Sequence, residues 1–389
     1  MTTIESFHTD SVPTPPPLPV QSTAAPASVF PVVTGIILIA MGVIFTAEVV
    51  FGVEPWSGAL QPGVTTLMAF GGLQYLLVVD QGQWYRLLSA PLLHLDLGHV
   101  LINGVVLWYS GRVLEGMIGR SWFAAVFIIG GIAGALMSLA VNAHNVVSVG
   151  ASGAIMAVLA ANFVLAFHYE PGARRQATQA NALRFLIPSL IPLGVSLSSG
   201  ATDYGAHFGG AMAGAIMAAM LLTGWRSCDT RPSLSRVAGA IVALGLFAAT
   251  YSAAANAHEY RIYNLQRLLI PAAEIPKDLP AILAKAPELL KQYPRDPRAR
   301  FYHAVTLVHA NDLAAAETQM RIGLSEQDIL RVLLTPTAKT HLQGYLALIL
   351  TDEHRKDEAR EFAKAGCLNA SESFHPALVK SGLCEAPKS

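Results

Sequence analysis

The chain has 389 residues, of which 53% are hydrophobic and 13% charged, with a formal net charge of zero and a mean hydropathy of +0.44. That balance is too apolar and too charge-poor for an ordinary soluble domain, and it reads as a membrane protein. Every lysine lies beyond residue 256, and no basic block or aromatic-interleaved basic stripe occurs, which sets nucleic-acid binding aside.

Residues 1–29 carry Pro13, Pro15, Pro16, Pro17 and Pro19 among Ser, Thr and Ala, with no Lys or Arg. Such a segment cannot bury enough apolar surface to fold and is expected to be a disordered cytoplasmic tail. It has neither the basic start nor the short apolar core of a secretory signal peptide. The first span is expected to supply the membrane address instead.

Apolar runs long enough to cross a bilayer as helices fall near 30–51, 97–114, 122–141, 150–168, 183–200, 204–223 and 236–256. The expected fold is therefore all-α: a polytopic bundle of seven transmembrane helices over 30–256, followed by a soluble helical domain over 257–389. Arginine sets the orientation. The turns at 112–121, 169–184 and 225–236 hold Arg112, Arg120, Arg174, Arg175, Arg184, Arg226, Arg231 and Arg236, whereas the opposite loops hold only Arg86. Eight against one puts the first set in the cytoplasm, with the N-terminus beside it and the C-terminal domain outside. The compact loops and the lack of a presequence favour a bacterial inner membrane.

The loop at 52–96 is long for a connection and contains Trp56, Trp84 and Tyr85, so it is expected to lie at the outer headgroups. The fifth run holds Pro188 and Pro192, each of which removes a backbone donor and kinks the helix. Membrane helices often tolerate proline, so the pair alone proves no function.

Beyond the seventh run, an offset of 43 residues matches Tyr302 with Tyr345, Ala304 with Ala347, Leu307 with Leu350, Ala316 with Ala359, and Gly323 with Gly366. This internal repeat, preceded by Tyr293-Pro-Arg-Asp-Pro297, resembles tetratricopeptide helix pairs with a longer period. A generic helical bundle is the alternative. Cys367 and Cys384, if outside, are expected to pair as a disulfide.

The chemistry centres on Gly150-Ala-Ser152-Gly153 at the head of the fourth run. Alone, a serine between glycines in a membrane span usually signals close helix packing. His207 opens the sixth run, and by the arginine orientation both helices enter from outside, which puts Ser152 and His207 at similar depth. A serine hydroxyl needs an adjacent base, and neutral imidazole is the usual one near pH 7. Gly210 and Gly214 follow on one helical face and would let this helix approach another closely. His99 and Asn103 stand at i and i+4, so both can face one point as an oxyanion site; an interhelical hydrogen bond is the competing reading. No acid lies where it could orient His207 from a neighbouring span, which leaves a dyad. There is no His-Glu-x-x-His or other recognisable ligand spacing among His94, His99 and His144, so neither a metal nor a cofactor is expected.

Taken together, the stretch from Trp84 to Gly214 resembles the rhomboid family of intramembrane serine proteases. The resemblance rests on Tyr85-Arg86, His94 with His99-x-x-x-Asn103, Gly111-x-x-x-Glu115, Gly150-Ala-Ser152-Gly153 and Ala206-His207-x-x-Gly210-x-x-x-Gly214, in family order. It implies Ser152 as nucleophile and His207 as general base and acid. It also implies an oxyanion hole from the Ser152 N–H, His99 and Asn103, and structural roles for Arg86 and Glu115. The helix with Pro188 and Pro192 becomes a candidate lateral gate for single-span membrane substrates. Met156 stands where the family often has an aromatic against the histidine. The competing class is a non-catalytic membrane adaptor that recruits partners through the external repeats.

Overall fold

The computed structural model describes residues 30–58, 60–191, 202–226, 229–368 and 374–385. The tail at 1–29, Pro192 and Cys228 lie outside these. No strand occurs among the described residues; there are two isolated bridges, Ser57–Gln61 and Leu73–Ser148.

The membrane part contains α1 (Val32–Val50), α4 (Leu97–Ile118), α5 (Arg120–Val141), α6 (Ser152–Leu165), α7 (Ala173–Leu190), α8 (Tyr204–Gly224) and α9 (Ser235–Gln266); short helices α2 (Val64–Ala69) and α3 (Arg86–Ser89) lie in the first loop. One helix thus stands at each of the seven apolar runs. Among the described residues α1, α5, α8 and α9 are each long and apolar enough to cross a membrane, and the segment 86–92 with α4, bent by 94° between them, passes the same test as a pair, with the form of a broken span or a re-entrant loop. α6 is apolar but shorter, and α7 opens on Ala173-Arg-Arg-Gln-Ala-Thr-Gln-Ala-Asn-Ala182, ten residues before the apolar run begins. Those residues are good helix formers, so hydropathy alone misplaces the boundary. At 32 residues α9 spans about 48 Å, more than the roughly 30 Å bilayer core, and it continues ten residues past 256.

α6 is the centre of the bundle. Nearly all its side chains are buried, whichever way they point. It lies between α5 and α8, and glycines make that possible. A Cβ on Gly210 would overlap the Gly153 carbonyl, one on Gly214 the Ala157 carbonyl, and one on Gly130 the Ala157 Cβ. Only backbone-to-backbone packing fits there.

Two charged side chains staple the rest. The Glu115 carboxylate accepts from Val33 N (3.0 Å), Thr34 N (2.9 Å) and Thr34 Oγ1 (2.8 Å), joining α4 to the start of α1, while a Cβ on Gly111 would lie 2.9 Å from the Thr34 side chain. Arg86 is fully buried and donates to Met68 O (2.7 Å), Gly72 O (2.9 Å) and Gln83 Oε1 (2.7 Å), organising the first loop. Beside it, burial pushes the Tyr85 phenol above its usual pKa, against the opposing pull of Arg86. That loop also pairs with the strand-like segment before Ser152, through Leu73 and Ser148.

The C-terminal part is helical: α10 (Leu279–Gln292), α11 (Pro297–His309), α12 (Leu313–Ser325), α13 (Gln327–Val332), α14 (Pro336–Asp352), α15 (Lys356–Leu368) and α16 (His375–Lys380). The turns joining α11 to α12 and α14 to α15 are alike. Asn311 and His354, 43 residues apart, both adopt positive φ (64° and 62°), and the following N–H groups donate back to Leu307 O and Leu350 O. Ala304, Ala316 and Gly323 are buried, as are Ala347, Ala359 and Gly366. Cys367 and Cys384 are joined by a disulfide.

Because the α6–α8 contact tolerates no Cβ, Gly214→Ala is expected to destabilise the bundle by about 1–3 kcal/mol. Gly42→Ala, where an added Cβ meets nothing within 4 Å, serves as the control and is expected to leave the unfolding midpoint unchanged in a denaturant titration.

Candidate active site

Each functional side chain is set by a helix start or a forced turn. α4 begins at Asp96, whose carboxylate accepts from His99 N (2.8 Å), a side-chain N-cap that fixes the first turn. His99 follows on that turn and Asn103 one turn later on the same face. α8 begins at Asp203, which caps through Ala206 N (2.8 Å) and puts His207 in the next turn. α6 begins at Ser152 with no side-chain cap. The N–H groups of its first turn, that of Ser152 included, therefore have no intrahelical acceptor and sit at the positive end of the helix dipole.

The turn into α6 depends on Gly150. Its φ of +123° is costly for any residue with a side chain, and a Cβ there would lie 2.7 Å from His99 Cε1, 2.9 Å from His99 Nε2 and 3.7 Å from Asn103 Nδ2. The Gly150 backbone thus passes directly over the two side chains, and its N–H donates to Ala90 O (3.0 Å).

Ser152, His207, His99 and Asn103 all line one cavity of about 670 Å³, with Met156, Phe185, Pro188 and Ser189 on its walls. Ser152 and His99 are half-buried; Asn103 (6% exposed) and His207 (8%) are buried. Asn103 Nδ2 is a buried donor with no partner. Such a group costs roughly 1–3 kcal/mol unless something accepts from it. His99 Nδ1 accepts from Leu95 N (3.5 Å), which leaves the proton on Nε2, the nitrogen nearer Gly150. Two donors therefore converge beside the turn that carries Ser152.

His207 Nδ1 lies 2.7 Å from Ser189 O. A carbonyl only accepts, so Nδ1 carries the proton and Nε2 keeps its lone pair. Ser189 O is free for this because α7 ends at Leu190, and the last carbonyls of a helix have no intrahelical donor. Ser152 and His207 share the cavity without a direct hydrogen bond. Catalytic pairs often close that last gap only with substrate in place.

Sequence reasoning passed over three contributors. Asp203 accepts from Ser138 Oγ (2.6 Å) and from Ser148 Oγ besides capping α8, tying α5, the segment before Ser152 and the His207 helix together. The Tyr204 ring stands edge-on to His207, centroids 6.3 Å apart. Ser189 acts through its backbone and has no side-chain signature. Of the remaining expected residues, Gly153, Gly210 and Gly214 hold α6 to α8, and Arg86, Gly111 and Glu115 lie in the structural staples away from the cavity. Pro188 lines the cavity from α7. His94 is fully buried, its ring edge-on to His99 at 5.1 Å, and its backbone N–H donates to Glu48 Oε2 (3.3 Å).

Comparison with known proteins gives one family. Residues 81–224 match the Rhomboid domain model. The chain is 31% identical over 156 residues to "Rhomboid protease GluP" of Bacillus subtilis (strain 168), covering 40% of this chain and 29% of that protein. It is 33% identical over 174 residues to "RHOMBOID-like protein 5" of Arabidopsis thaliana (42% and 52%) and 30% identical over 182 residues to "RHOMBOID-like protein 2" of the same plant (45% and 55%). The chain thus spans between about a third and about half the length of these relatives.

Since Asp203 holds three donors at the mouth of the site, Asp203→Ala is expected to cost about 2–4 kcal/mol in unfolding free energy. Asp203→Asn, which keeps an acceptor, is expected to cost less. Denaturant titration of both variants checks this, and equal stability of Asp203→Ala and the unmodified protein would contradict it.

Proposed function

We propose, for a chain that belongs to the rhomboid family through residues 81–224, that it is an intramembrane serine endopeptidase cutting single-span membrane proteins near the outer end of their transmembrane segment. The observation that carries this reading is the single cavity shared by Ser152, His207, His99 and Asn103. In this reading the seven helices α1 and α4–α9 all span, the arginine-rich end faces the cytoplasm, and the cavity opens toward the outside.

The steps follow from the groups present. A substrate helix enters sideways past α7, where Pro188 offers no N–H to the helix ladder. A short stretch of it unwinds, because a helical backbone hides its carbonyls, so small or helix-breaking residues favour cleavage. Ser152 Oγ attacks the exposed carbonyl carbon while His207 Nε2 takes the hydroxyl proton. The oxyanion that forms is met by the Ser152 N–H, His99 Nε2–H and Asn103 Nδ2–H, donors already in place in a water-poor site. His207 then passes its proton to the leaving amine, and the acyl-enzyme is hydrolysed by water activated by the same imidazole. The Ser189 carbonyl takes the role an acid plays in a triad: it holds the tautomer and accepts from the imidazolium.

The C-terminal pairs α11/α12 and α14/α15 are read as tetratricopeptide-like repeats lying outside the membrane, where the Cys367–Cys384 disulfide is stable and where they can hold substrate ectodomains.

In a reconstituted cleavage assay with a single-span substrate, Ser152→Ala and His207→Ala are each expected to abolish cleavage, and Asn103→Ala to slow it by about 10²-fold. Fluorophosphonate labelling is expected to be lost in Ser152→Ala. Well-folded unmodified protein that neither cleaves nor labels would favour the non-catalytic adaptor.

A further inference from the structure

A second cavity, of about 660 Å³, lies between α4, α6 and α7 at the arginine-rich end of the bundle. Three arginines line it: Arg112 from α4, and Arg174 and Arg184 from α7. No Asp or Glu lines it, and among the described residues none of the three has an acidic partner. Arg112 rests against the Tyr109 ring (5.0 Å), and Arg174 against the Tyr169 ring (4.0 Å), which orients the guanidinium planes without neutralising them. Thr178 and Asn181 add hydroxyl and amide groups to the same wall.

Three unneutralised guanidinium groups around one space suit a phosphate ester, which they can grip through paired N–H donors. The apolar part of the lining decides where that phosphate comes from. Tyr109 and Val113 belong to the cavity and are 52% and 38% exposed on the outer surface of a membrane helix. A ligand with charge at the arginines and hydrocarbon along these side chains satisfies both; a soluble phosphate leaves the apolar rim uncovered.

We infer that this cavity is a binding site for the headgroup of an anionic phospholipid, with the acyl chains lying along the Tyr109 and Val113 face. Basic pockets between membrane helices at the headgroup level bind such lipids. Arg184 and Phe185 line this cavity and the one containing Ser152 as well, so a headgroup bound here grips α7 at the point where α7 meets the active-site cavity. Binding does not depend on whether Ser152 reacts, so the inference and the proposed activity fail separately.

The test uses the full-length chain in detergent, titrated with dioleoylphosphatidylglycerol or dioleoylphosphatidylcholine and read by native mass spectrometry. The unmodified protein is expected to retain the anionic lipid at least about tenfold more tightly. R112Q/R174Q/R184Q is expected to lose that preference, whereas R175Q/R226Q/R236Q, three arginines of the same end that do not line the cavity, is expected to keep it. A177W fills the space and leaves all three arginines in place, so it is expected to weaken retention too; it covers the case in which the triple variant fails to fold. Equal loss in both triple variants, or unchanged retention in A177W, would overturn the site. Displacement of the lipid by millimolar inorganic phosphate would show that the ligand is a soluble phosphate and would overturn the lipid assignment.

Discussion

Everything else in the membrane part depends on how closely α6 and α8 approach. Gly210 and Gly214 press against the carbonyls of Gly153 and Ala157, so the two backbones touch where side chains would normally intervene. One residue before Gly153 is Ser152, and one turn before Gly210 is His207. The contact that packs the bundle is therefore also the contact that brings a hydroxyl and an imidazole to one cavity. Packing and chemistry share the same few residues, and α5 closes the arrangement from the other side with Gly130 and Gly134.

A second consequence concerns charge. A buried carboxylate beside the imidazole would carry a heavy desolvation cost at membrane depth. Here the Ser189 carbonyl, at the end of α7, meets His207 Nδ1 instead, and a neutral dipole fixes the tautomer that the proposed mechanism needs. Asp203 stays at the mouth, where it caps α8 and gathers Ser138 and Ser148. The proposed oxyanion site follows the same economy: His99, Asn103 and a helix N-terminus carry no formal charge.

Much of this could be read before any coordinates. Each of the seven apolar runs overlaps a described helix, because hydrophobic length is a property of the chain itself, while four of those helices are by themselves long and apolar enough to cross a membrane. The i, i+4 spacing of His99 and Asn103 translated directly into a shared face, and the 43-residue offset reappeared as the matched turns at Asn311 and His354. What stayed hidden was of two kinds. Boundaries of α7 and α9 lie in polar sequence that is helical but not apolar, so hydropathy stops short of them. Partners supplied by the backbone or by distant residues leave no local trace. Ser189 contributes only its carbonyl, and Asp203 reaches residues 55 and 65 positions away. Arg86 was legible as a motif residue, yet its role as the hub of the first loop emerges only with Met68, Gly72 and Gln83 around it.

The central claim, that Ser152 attacks within a site made by His207, His99 and Asn103, is tested most directly by an experimental structure of the full chain treated with a peptidyl aldehyde. The account predicts a tetrahedral adduct bonded to Ser152 Oγ, its oxygen within hydrogen-bond reach of the Ser152 N–H, His99 Nε2 and Asn103 Nδ2. An unmodified Ser152 in inhibited protein, or an adduct whose oxygen points away from His99 and Asn103, would contradict it.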